Sequence, residues 1–125
     1  MDPPRLPQAP QLADALGLQD SAAVAFALRN GEVIVPLLVQ PGPAQVRVFR
    51  GAESAGFTLL LFSSAENYRA MLPEEHDLQV LTYDRAKLVE FLETHVDSLE
   101  TAWFDVAGPH PMQADPRELL AALTL

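Results

Sequence analysis

The sequence predicts an α+β domain: a mixed sheet of about five strands, a three-stranded meander then strand–helix–strand units, with helices packed on it. Three observations carry that prediction. The β-branched or apolar runs EVIVPLLV, AQVRVFR and FTLLLF succeed one another between residues 32 and 62. After Phe62, short apolar runs alternate with segments of helical period. The 125 residues, 49% of them hydrophobic and 20% charged, suffice for one core and are too few for two. The expected domain spans 11–125 and follows a proline-rich arm over 1–10.

Pro3, Pro4, Pro7 and Pro10 fix φ and remove donors, which makes that arm extended. Pro10 also suits the first turn of a short helix through Leu12 and Leu16, which Gly17 ends. Asp20 or Ser21 caps a second helix with Val24 and Leu28 on one face, and Asn30-Gly31 offers a left-handed stop. EVIVPLLV is too short for a typical helix. Pro36 denies it a ladder hydrogen bond, so it reads as an edge strand or a bulged one. Pro41-Gly42-Pro43 turns the chain into AQVRVFR, where Val46 and Val48 share a face opposite Arg47. FTLLLF, apolar almost throughout, fits a central strand covered on both faces.

Ser63 with Glu66 fits a capping box for a helix through Tyr68 and Leu72, stopped by Pro73. The acidic loop EEHD leads to the strand LQVL. Asp84 then caps a helix carrying Leu88, Phe91, Leu92 and His95 at one-face spacing. Arg85 and Lys87 in its first turn oppose the macrodipole, a small penalty. The strand TAWFDV and a Gly-Pro-His-Pro loop follow. Asp115-Pro116-Arg117-Glu118 opens the last helix, with an N-cap acid, proline at N1 and an acid at N3.

Charge and composition exclude several functions. Seventeen acids against eight bases, a formal charge of −9, disfavour binding nucleic acid by its phosphates or docking on an anionic membrane. The acidity is uneven. Residues 1–65 carry net −1 and residues 66–125 net −8, so the second half presents an acidic surface. No cysteine means no disulfide, no thiolate nucleophile and no thiolate-held metal. No apolar stretch approaches the roughly 18 residues a membrane helix needs. The N-terminus lacks the features of a signal peptide, and a cytoplasmic location is the expectation.

Candidate chemistry is thin. Ser63 and Ser64 lie where a nucleophile elbow would place its serine, but the run LLFSSAE lacks the flanking glycines, and capping accounts for both. His76 sits among Glu74, Glu75 and Asp77, consecutive side chains that diverge instead of converging on a metal. His95 complements the end of its helix. No phosphate loop occurs, and no cofactor or metal is expected. Asp105 and His110, at a strand end where α/β sheets tend to bind ligands, form the one constellation for a small molecule or general-base chemistry. No nucleophile accompanies them, and a plain strand exit is the simpler account.

Several segments resemble the SseB N-terminal domain family. Val35-Pro36 matches its valine–proline strand, and Phe62-Ser63-Ser64 matches its phenylalanine–threonine–serine turn with one change. Asp105-Val106-Ala107-Gly108-Pro109 keeps the position and glycine of its asparagine–proline–glycine turn. The resemblance spans about residues 12–123. It implies an α+β bacterial cytoplasmic domain, in some members linked to serine sensitivity or secretion, without transferable catalytic residues. The expectation is a non-enzymatic module that binds a protein partner or itself, the latter as a homodimer. Its expected surfaces are the edge at Val35 and Pro36 and the acidic residues Glu90, Glu93 and Asp97. The alternative is a small-ligand binder or enzyme using Asp105 and His110.

Overall fold

Aspartates start three of the helices, as expected. In the computed structural model, which describes residues 8–51 and 53–124, Asp20 accepts from the amides of Ala22 and Ala23 and opens α2 (Ser21–Asn30). Asp84 accepts from Lys87 and opens α4 (Arg85–His95), and Asp115 accepts from Arg117 and Glu118 to open α5 (Pro116–Leu123). Each cap satisfies backbone donors that the first helical turn leaves free. Helix α1 (Pro10–Gly17) precedes them, and α3 (Ala65–Met71) lies between the sheets' strands in sequence.

The strands are β1 (Glu32–Leu37), β2 (Phe57–Leu61), β3 (Gln79–Asp84), β4 (Leu99–Phe104) and β5 (Met112–Ala114). β1 pairs antiparallel with β3, β2 parallel with β4, and β4 antiparallel with β5. They form two sheets, of two and three strands, instead of the single five-stranded sheet expected. The reason lies in residues 45–49. β1 meets the end of β2 at one bridge, where Ile34 and Phe62 exchange both backbone hydrogen bonds. Farther along, Val46 bridges to Leu37 and Phe49 to Thr58, so this segment occupies the gap between β1 and β2. The expected strand AQVRVFR is therefore reduced to two bridges. Its face alternation survives: Val46 and Val48 pack toward one core, Phe49 toward the other.

Two cores explain the apolar runs. Leu59 and Leu61 of β2 join Val33, Val35, Ala102 and Phe104 beneath helices α1, α2, α4 and α5. Leu60 and Phe62 face the other side, where Ile34 and Tyr68 of α3 complete a smaller core, the Phe62 and Tyr68 rings 5.1 Å apart. Leu59, Leu60, Leu61 and Phe62 are buried on both faces, as the composition of FTLLLF predicts, whereas Phe57 at the start of the run is exposed.

Other expectations are corrected. β1 is no open rim: β3 covers one side, and Phe62 and residues 45–47 take the other. Pro36 is buried and loses no ladder bond, because the β3-facing groups belong to its odd-numbered neighbours. Its own carbonyl accepts from Arg47. Gly31 ends α2 with φ of −138°, not left-handed, and a Cβ there would lie 2.9 Å from the Ala27 carbonyl, so close packing demands the glycine. Gly17 stays inside α1, and the left-handed residue after it is Gln19. Ser64, not Ser63, caps α3 by accepting from Asn67. β5, absent from the sequence reading, occupies the expected loop after Pro111. Of the expected arm, residues 1–7 lie outside the described residues, whereas Gln8 bridges to Ser64 and Ala9 donates to Ser63. No helix among the described residues is long and apolar enough to cross a membrane.

Candidate functional site

The carboxyl ends of the parallel strands β2 and β4 lie side by side, and Ser63 and Asp105 follow them. The Asp105 carboxylate accepts the Ser63 amide at 2.7 Å through Oδ1 and the Ser63 hydroxyl at 2.5 Å through Oδ2. Asn67 Nδ2 donates to the same hydroxyl oxygen at 3.3 Å. Both partners are buried, at 4% and 3% exposure. Asp105 holds a left-handed φ of 47°, which Asp tolerates better than most residues, and its carbonyl accepts from Gly108 to turn the chain toward β5. A buried carboxylate needs such donors, and both of its oxygens are occupied.

Around this latch lies a cleft of about 320 Å³, lined by Ser63, Asn67, Asp105 and His110 together with Asp14 and Leu16 of α1. The structure thus brings Asp105 and His110 to one cleft without a hydrogen bond between them. Ser63 holds Asp105's oxygens, and the exposed His110 ring packs by Gly17, its Cδ2 3.8 Å from where a Cβ there would stand. Asp105 does not orient an imidazole here, and the buried Ser63 hydroxyl spends its one donor on Asp105 and accepts from Asn67. The arrangement performs closure of two strand ends.

The acidic candidates are placed outward. Glu90 and Glu93 are exposed on α4, and Asp97 lies in the 3-10 turn Val96–Ser98, paired with Arg117 at 2.8 Å on an open surface. His95 is exposed and rests on the Phe91 ring, centroids 4.6 Å apart, without capping its helix. Glu74, Glu75, His76 and Asp77 do not converge, and no cluster of metal-ligating side chains occurs among the described residues.

A buttress that sequence reading missed holds the EEHD loop. Arg47 makes a two-pronged pair with Glu75, at 2.9 and 3.1 Å, donates to the Tyr68 hydroxyl at 3.0 Å and lies over the Phe49 ring. The hydrogen bond from Arg47 holds the Glu75 carboxyl below its ordinary value, and burial pushes the Tyr68 phenol up. Only the apolar flanks of Arg47 hinted at a half-buried cation.

The two rims differ. β5 is three residues long and flanked by Pro111 and Pro116. β3 is six residues long and has no proline. Ile34 spends its backbone groups on Phe62, so Val33, Val35 and Leu37 face β3, and the groups of Val80 and Thr82 point outward. Among the described residues nothing bonds to them. Leu81 between them is 37% exposed.

No family model, curated protein or solved structure matches this chain.

Proposed function

We propose that this domain is a protein-interaction module that docks its partner along the outer rim of β3. The backbone of Val80 and Thr82, to which nothing bonds among the described residues, on a strand without proline and uncharged from Gln79 to Tyr83, carries the reading. An open edge of this kind accepts an added strand through main-chain hydrogen bonds, with side chains on alternate faces supplying selectivity. The exposed acids Glu90 and Glu93 add a charged surface on α4, whereas Asp97 is already paired with Arg117. The residues that carry the SseB resemblance, Val35-Pro36 and Phe62-Ser63-Ser64, act here as joints of the fold, and their work is compatible with a non-enzymatic role in the cytoplasm.

The rival, ligand or enzyme chemistry at Asp105 and His110, has a cleft of suitable location but a carboxylate already engaged on both oxygens. Affinity purification with quantitative mass spectrometry, comparing the native chain with Thr82→Pro and His110→Ala, separates the two. Partners lost with Thr82→Pro and kept with His110→Ala support the rim. A tight small ligand lost with His110→Ala, and partners indifferent to Thr82→Pro, would replace it with the rival.

A further inference from the structure

We infer that the occupant of the β3 rim is a second copy of this chain, paired antiparallel about a two-fold axis at Leu81. The inference rests on the reading of β3 as a docking edge and adds what docks and in which register.

Parity comes first. With the groups of Val80 and Thr82 pointing outward, an antiparallel copy pairs Val80 of one chain with Thr82 of the other, and the reverse. Leu81 then faces its own counterpart at the narrow, non-hydrogen-bonded position, where side chains lie closest. That residue is the exposed apolar one of this strand, at 37%. Closed two-fold pairing of one patch with itself is the commonest form of assembly, and it consumes the open edge without leaving another.

The ends of the rim supply the second argument. Before β3 stand the exposed acids Glu74 and Asp77, with Glu75 already neutralised by Arg47. After it stand Arg85 and Lys87, two of only four basic residues in the acidic half, next to Asp84, the strand's last residue, whose carboxylate is spent on the Lys87 amide. Reversed about Leu81, the acidic end of one copy lies beside the basic end of the other at both extremities. Within one chain the same two bases sit in the first turn of α4, where they oppose its dipole. Arg85 Nε donates to the Leu123 carbonyl, but neither base pairs with a carboxylate among the described residues, so the pairing supplies the charged partners that the single chain does not. The repulsion between two chains of −9 acts over longer distances and is screened beyond about 8 Å at physiological salt.

Sedimentation velocity and amide exchange on the whole chain, from about 10 to 500 μM, test this in the range suited to a small interface. The expected result is a monomer–dimer equilibrium in which the Val80 and Thr82 amides slow as concentration rises. The Leu81 amide, bonded within the chain, is slow throughout. Thr82→Pro removes only an outward donor and should weaken the dimer at least about tenfold. Two charge variants, Lys87→Glu and Glu74→Lys/Asp77→Lys, should each dimerise about threefold more weakly, whereas their mixture pairs more tightly than either alone. A mixture no tighter than its components overturns the antiparallel register. A dimer whose Val80 and Thr82 amides exchange as in the monomer overturns the interface. A monomer at every concentration overturns the second copy; the docking edge itself then falls only if Thr82→Pro also retains every protein partner.

Discussion

The rims of this domain follow opposite strategies. β5 is short, bounded by Pro111 and Pro116, and tied by the Asp105 turn to the end of β2; its length and flanks blunt it. β3 runs six residues with outward backbone groups that nothing bonds among the described residues, and with an exposed leucine. Proline protection therefore has to be judged at the observed rim. Pro36, which looks like an edge guard in the sequence, is buried between β3 and residues 45–47, while the strand it pairs with is the one left open.

The largest effect is expected at the guarded side. Asp105→Ala removes both acceptors of Ser63, leaves a buried amide unsatisfied and puts alanine at a left-handed φ. The loss should be about 3 kcal/mol, or roughly 10 °C in Tm. Amide exchange should quicken at Met112–Ala114 and stay unchanged at Leu81. Equal quickening at both strands would mean that the latch supports the whole domain and that the contrast between the rims is not local.

A smaller, pH-dependent effect should appear on the open side. Glu75 has a folded pKa depressed by Arg47, so its contribution is present above the ordinary carboxylate value of 4.5 and is lost as pH falls through the depressed folded value. Glu75→Gln should thus lower Tm at about pH 7, and the gap to the native chain should close towards about pH 3. Thermal melts across that range check it; a pH-independent gap would show that the pair acts through packing alone.

The smallest effect on stability is expected from Leu81→Lys, within about 0.5 kcal/mol because the position is exposed. Its consequence should fall on association, since a lysine on an edge discourages strand addition. Denaturant melts beside sedimentation separate the two. A marked loss of stability would place Leu81 in the core and weaken the case for β3 as a surface.

Much of the local structure was legible without the fold. Asp20, Asp84 and Asp115 bond to amides two or three residues away, so their caps depend on sequence neighbours alone. The double burial of Leu59 to Phe62 follows from a run of six residues, five of them apolar, although its first residue, Phe57, is exposed. The candidate site was legible in location only. Asp105 and His110 do line one cleft, but Asp105's partner lies 42 residues away, and nothing near Ser63 announces that it serves a latch while Ser64 caps the helix.

Helix starts and apolar faces are written in the chain because their hydrogen bonds and periodicities span a turn or two. Strand neighbours are not, since every β-branched run offers the same backbone donors and acceptors to any other. Which runs adjoin was settled by the single Ile34–Phe62 bridge and by residues 45–49 filling the gap beyond it. The same packing hid Pro36 and left the outward groups of Val80 and Thr82 without a partner among the described residues.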